Sequence, residues 1–161
     1  MHDVRMPEGE GRQLRVLVAD DSIQLQRSLG KLLEWMPDVH VVGYAEDANG
    51  TLSMVARLEP DLIVLDVALR GHDRGIDVLR EVVRKYPHIK VVMLSNFTWE
   101  AMRAGLLEAG AHAYFSKGDE FLRARDWIAT LARSHTAGLL PASIHAAAGS
   151  RHAVAIESKA V

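Results

Sequence analysis

Between Asp61 and Asp66 the chain places Leu62, Ile63, Val64 and Leu65, four large apolar residues in a row, two of them β-branched. A run this short and this uniformly apolar fits a strand buried on both faces rather than a half-exposed one. Burial on both faces requires a sheet covered by helices on each side, which narrows the fold more than any other stretch. The carboxylate of Asp66 closes the run. An ionised carboxylate is costly to bury unless something pairs with it, so Asp66 belongs at a strand end where other charged groups meet it.

The rest of the chain repeats this theme. Residues 14–19 form an apolar run ending on Asp20-Asp21-Ser22, and residues 39–45 form a Val-rich one. Residues 89–94 lead into Ser95-Asn96, and 113–116 lead into Lys117. Between these runs, apolar residues recur at helical spacing. They are Leu25, Leu29, Leu32, Leu33 and Met36, closed by Pro37; Leu52, Val55 and Leu58, opened by an Asp47 cap and closed before Pro60; and Ile76, Leu79, Val82, Val83 and Tyr86, closed by Pro87. Thr98 can cap a helix that turns Met102, Leu106 and Ala109 inward and stops at Gly110. Asp119 can cap a last one with Phe121, Ala124, Trp127, Ile128 and Leu131 inward. Five strands alternating with five helices imply an α/β fold with a parallel sheet in three layers. The expected form is a doubly wound, flavodoxin-like (βα)5 domain with strand order 2-1-3-4-5.

A chain of 161 residues, 48% apolar, supports one such domain. It is expected over 14–133, with 1–13 a flexible lead-in and the Ala-rich 134–161 a mobile tail without an output domain. The net charge is −2 and there is no cysteine, so no global basic bias, disulfide or thiolate chemistry enters. The eight histidines are scattered without ligand spacing. No signal peptide or membrane-length apolar run is visible. The expectation is a cytoplasmic protein that binds neither membrane nor nucleic acid directly.

In an open parallel sheet the carboxyl ends of all strands lie on one edge, and ligands bind where the strand order reverses. With order 2-1-3-4-5 that point lies between the first and third strands. Asp20, Asp21 and Asp66 then sit together, with Ser95 and Lys117 across the cleft. Three adjacent carboxylates repel unless a cation joins them. An oxygen-only donor set suits Mg²⁺. Carboxylate, hydroxyl, ammonium and metal around one point describe phosphoryl transfer with Asp66 as nucleophile. Taken singly, each residue has an ordinary explanation: Asp20 or Asp21 as a helix cap, Ser95 as a turn residue, Lys117 as a solvated amine, Tyr114 as core filler. Capping accounts for only one of the two adjacent acids.

The strand-terminal Asp20-Asp21 pair, the central Asp66, Ser95, Lys117 and the segment Gly110 to Lys117 together resemble the receiver domain of bacterial two-component response regulators, of the single-domain chemotaxis type. The resemblance implies phosphorylation of Asp66 by a histidine kinase or phosphotransfer protein. It implies Mg²⁺ held by Asp20, Asp21, Asp66 and the Ala68 carbonyl, and a switch pair of Ser95 and Tyr114. Ser95 would turn to the phosphoryl group as the ring of Tyr114 moves inward. Output would then come from protein contact with an unnamed target, or from phosphorylation-dependent dimerisation. Trp99, Met102, Arg103, Arg123, Arg125 and Trp127 are candidates for a partner surface, with Trp127 equally well placed as core. Two other functions compete: a phosphate-independent interaction module, and an aspartyl-phosphate hydrolase. The hydrolase would need a second Asp where the chain has Ala68. The protein is not expected to be an enzyme in the ordinary sense; the transfer to Asp66 and the loss from it are self-catalysed.

The chain departs from the family pattern after Asp66. Arg70 stands where a proline is usual, which suggests a more mobile loop, and Asn96 stands where a small residue is usual. Ala68 and Phe97 occupy the positions that influence hydrolysis, and neither offers a polar group to orient an attacking water. Phosphorylated protein should therefore lose its phosphoryl group slowly. A half-life of seconds that lengthens on Ala68→Asn is the contrary outcome, read by following the decay of phosphoprotein.

Overall fold

The computed structural model describes residues 11–72, 74–97 and 99–138. Five strands alternate with five helices: β1 (Leu14–Ala19), α1 (Ile23–Glu34), β2 (Val39–Ala45), α2 (Ala48–Leu58), β3 (Leu62–Asp66), α3 (Gly75–Lys85), β4 (Lys90–Ser95), α4 (Glu100–Glu108), β5 (Ala113–Ser116) and α5 (Phe121–Thr136). All strand pairs are parallel and their order is β2-β1-β3-β4-β5. This is the expected doubly wound α/β architecture.

The period of two along each strand divides the interior into two cores. Val16 and Val18 of β1, Leu62 and Val64 of β3, and Val92 and Leu94 of β4 face Leu29 and Leu33 of α1 and Ala124, Ile128 and Leu131 of α5. Leu17, Ile63, Leu65, Val91 and Met93 face Val55 of α2, Val78, Leu79 and Val82 of α3, and Leu106 of α4. Every residue of β3 is buried, because the central strand is covered on both faces and flanked on both edges. Each such aliphatic side chain contributes about 1.5–3 kcal/mol relative to exposure. Trp127 packs against the first core, its ring 6.5 Å from that of Phe115, so the core alternative holds for it.

The boundaries follow local chemistry. Asp47 caps α2, its carboxylate accepting from the Gly50 amide at 2.6 Å. Gly110, at φ 112°, follows the end of α4 in a conformation that a side chain would strain, and a Cβ there would meet Val83 at 2.8 Å. Among the other caps, one ordinary alternative falls away and one expectation differs. Neither Asp20 nor Asp21 caps α1; Ser22 does, through the Leu25 amide at 3.2 Å. The residue at the N-cap of α5 is Glu120, not Asp119, and its side chain makes no cap bond because it is committed elsewhere. The expected Thr98 cap lies outside the described residues, and α4 starts after Trp99 with no side-chain cap. The last helix runs to Thr136, three residues past the expected edge. Within the expected lead-in, Arg12 pairs with Asp61 at 2.7 Å and Gln13 bonds the Pro37 carbonyl.

One glycine fixes how α3 approaches the sheet. A Cβ on Gly75 would lie 2.1 Å from the Asp66 carbonyl oxygen and 2.9 Å from Val67 Cα, both backbone atoms that cannot yield. The bare Gly75 amide instead donates to the Val67 carbonyl at 2.8 Å. Gly75→Ala must push α3 away from β3 and should cost about 1–3 kcal/mol, as overpacking does. Urea unfolding measures this; a midpoint equal to that of the native sequence is the opposing result.

Candidate functional site

Parallel pairing sets the site. Ala19 is in register with Leu65, so the next residues of β1 and β3, Asp20 and Asp66, emerge side by side. Asp66 pairs across β3–β4 with Leu94, and Ser95 pairs across β4–β5 with Ser116, the residue before Lys117. Four strand ends thus deliver the acidic, hydroxyl and basic groups to one edge. Asp20, Asp21 and Asp66 converge, with one carboxylate oxygen from each within 4.8 Å of the others. Asp20 and Asp66 are buried and Asp21 is exposed.

Lys117 joins the acids. Its Nζ lies 2.6 Å from Asp20 Oδ2 and 3.0 Å from Asp66 Oδ2, with the ammonium buried. Burial is the largest influence on Asp66 and raises its pKa above the ordinary carboxylate value. The neighbouring Asp20 charge adds to the rise, while Lys117 and the Ala68 amide, at 3.2 Å, work against it. Burial alone would lower the Lys117 pKa, but the Asp20 hydrogen bond and the Asp66 charge outweigh it, and the ammonium is held above its ordinary value. The two directions are compatible. Lys117 faces two carboxylates, whereas Asp66 shares one ammonium with a competing acid.

Three carboxylates and one ammonium leave two uncompensated negative charges, on hard oxygen donors open to solvent at Asp21. This donor set fits a divalent cation such as Mg²⁺.

Ser95 is almost fully buried, and its Oγ accepts from the Phe97 amide at 3.0 Å. Tyr114 is buried one strand further on, and its hydroxyl donates to the Phe97 carbonyl. Both proposed switch side chains therefore touch the peptide groups of one residue. Ala68, Asn96 and Phe97 are all exposed at the rim. Arg70 is not loose: its guanidinium pairs with Glu46 at 2.9 Å and its amide donates to the Glu46 carbonyl at 3.2 Å. The suggested partner surface divides. Trp99 and Arg123 are exposed, Met102 packs on the second core, Arg125 pairs with Asp126, and Arg103 lies over the Tyr114 ring.

Two supporting residues escape a reading of the sequence. Gln26 is buried, and its Nε2 donates to the Asp20 carbonyl at 2.6 Å and the Ala45 carbonyl at 3.1 Å, tying the ends of β1 and β2 together. Its position in the apolar stripe of α1, three before Leu29 and seven before Leu33, is the signal that betrays it. Glu120 accepts the Ser116 amide at 2.9 Å beside Lys117. No sequence pattern announces that contact.

Fold and site together define a doubly wound α/β domain with an acidic, lysine-bridged cluster at its ligand edge. Residues 16–125 match the model of the response regulator receiver domain, and the chain belongs to that family. A protein-glutamate methylesterase/protein-glutamine glutaminase of Pyrococcus abyssi is 37% identical over 109 residues, covering 66% of this chain and 29% of that protein. The transcriptional regulatory protein LiaR of Bacillus subtilis is 32% identical over 104 residues, covering 65% of this chain and 49% of that one. The chain thus spans less than half the length of either relative. The response regulator domain of Thermotoga maritima CheB superposes with a TM-score of 0.69 at 28% identity, covering 81% of this chain and all of that one. Among the described residues, no helix is long and apolar enough to cross a membrane.

The raised Asp66 pKa has a consequence for stability. Protons bind Asp66 more tightly in the folded than in the unfolded chain, so the stability associated with it is present at low pH and lost as pH rises through the folded value. Above the folded pKa the buried charge is a liability. Asp66→Asn should raise stability there, on the order of 1 kcal/mol or roughly 2–4 °C. The gap should close as pH falls below the folded pKa. Thermal unfolding against pH checks this; a neutral-pH loss of stability is the opposing result.

Proposed function

We propose that Asp66 accepts a phosphoryl group from a histidine kinase or phosphotransfer protein, and that the domain signals by phosphorylation-controlled contact with another protein. The observation that carries this is the buried Asp66 carboxylate at the end of the central strand, sharing the Lys117 ammonium with Asp20. An Asp66 oxygen attacks phosphorus, the P–N bond of the partner's phosphohistidine breaks, and its electron pair returns to that ring nitrogen; the ring, protonated on its other nitrogen, leaves as neutral imidazole and takes no proton from Asp66. Asp66 must be ionised to attack, and its raised pKa makes that state dependent on positive charge nearby. Lys117 supplies one such charge and pairs with the transferred oxygens.

Asp20, Asp21 and Asp66 are the side chains that would hold Mg²⁺, with the Ala68 carbonyl added by the family resemblance. The ion, when bound, neutralises negative charge on the phosphoryl oxygens and keeps Asp66 ionised. Buried Ser95 is the hydroxyl placed to turn from the Phe97 amide toward the new phosphoryl group, and Tyr114 answers through the Phe97 carbonyl. Ala68, Asn96 and Phe97 tune the lifetime from the rim. The outcome is a shift between two pre-existing forms of the face that carries α4, β5 and α5.

Incubation with acetyl phosphate and Mg²⁺ should add the mass of one phosphoryl group, and beryllium fluoride with Mg²⁺ should change tryptophan fluorescence. Asp66→Asn and removal of Mg²⁺ should each abolish both signals. No response in the native protein favours a phosphate-independent interaction module. Turnover of an added phosphomonoester favours a hydrolase.

A further inference from the structure

Tyr114 is gripped from two sides. Its hydroxyl bonds the Phe97 carbonyl, and the Arg103 guanidinium lies over its ring with Cζ 5.1 Å from the centroid. Arg103 is held in turn by Glu120, at 2.7 Å between Nη2 and Oε2, with both side chains largely buried. The same Oε2 accepts the Ser116 amide at 2.9 Å, while Oε1 accepts from Arg123 at 2.7 Å. Ser116 precedes Lys117, whose own amide donates to the Ser95 carbonyl at 2.8 Å. One carboxylate therefore anchors both the cation over the Tyr114 ring and the strand end that presents Lys117.

We propose that Arg103 and Glu120 are positioning residues, a clamp that holds Tyr114 in its buried position and couples it to the strand end bearing Lys117. The inference rests on the reading of Asp66 as acceptor and of Ser95 and Tyr114 as its switch. The ring cannot leave its site without losing the cation over its face, and a partly desolvated guanidinium over an aromatic face is a favourable contact. Ring, Phe97 peptide groups and Ser95 form one connected chain of contacts, so a bias on the ring is a bias on the hydroxyl. A ligand that selects one form binds more weakly in proportion as that form is depopulated. Loosening the clamp therefore weakens the response at Asp66 without touching a residue of the acidic cluster.

The full chain labelled with 3-fluorotyrosine tests this. Its three tyrosines give three fluorine resonances, assigned through Tyr44→Phe and Tyr86→Phe. Arg103→Ala and Glu120→Gln should broaden or shift the Tyr114 resonance before any ligand is added. Both should weaken beryllium fluoride binding in the presence of Mg²⁺ about three- to tenfold. Arg103→Lys, which keeps a cation over the ring, should recover part of each effect. Mg²⁺ affinity alone should stay within about twofold of native, since the clamp leaves the acids in place. An unchanged Tyr114 resonance in both variants overturns the clamp. So does an equal loss of Mg²⁺ and beryllium fluoride affinity, which marks general damage to the fold. If the native protein fails to bind beryllium fluoride, the reading of Asp66 falls, and the Tyr114 resonance still decides the clamp.

Discussion

Everything at the ligand edge turns on the sharing of one ammonium between two buried carboxylates. Lys117 sits 2.6 Å from Asp20 and 3.0 Å from Asp66. The pairing makes burial of these acids tolerable, yet it is incomplete, because burial keeps the Asp66 pKa raised even with Lys117 beside it. A protein that only needed a stable core would replace such a pair with apolar residues at little cost. Keeping it leaves a local excess of negative charge for an added cation to offset.

The geometry that assembles this cluster is a property of the sheet rather than of any loop. Order β2-β1-β3-β4-β5 makes β1 and β3 neighbours, and their register brings Asp20 and Asp66 together. β5, which carries Lys117 at its end, lies two strands from β3, so the lysine reaches Asp66 and Asp20 across the end of β4, with its backbone bonded to the Ser95 carbonyl. The two aliphatic cores lock that register, since a slip of one residue would exchange the two faces of every strand. Gly75 adds a local condition, letting α3 approach the Asp66 carbonyl. Stability and site geometry are therefore the same set of contacts around β3.

Much of this is legible in the sequence because it is written in short-range terms. The run from Leu62 to Leu65, the Asp47 cap and the Gly110 stop are recognisable within a few residues, and the strand-end acids follow from the sheet rule. What stays hidden depends on partners far along the chain. Glu120 is an ordinary surface acid until Arg103, seventeen positions earlier, and the Ser116 amide converge on it. Asp119 looks the better cap because its neighbour's commitment to those partners is invisible locally. Trp127 could be surface or core on helical spacing, and only contact with Phe115 decides it. Gln26 lies between these cases, since an amide within an apolar stripe signals a buried bond without naming its carbonyls.

Arg70 shows how a departure from a family's pattern can be compensated by different physics. A proline at this position would stiffen the loop covalently, by fixing φ and removing an N–H. Here the N–H is retained and used, bonding the Glu46 carbonyl, while the guanidinium pairs with the Glu46 carboxylate. The loop after β3 is thus tied to the loop after β2, and the tie joins the two sides of β1, from which Asp20 and Asp21 emerge. An exposed ion pair contributes little and is screened by salt, so the backbone bond carries more of the tie than the charges do. The loop beside Asp66 is therefore restrained by noncovalent contacts that can be broken and remade, where a proline ring would leave no such freedom.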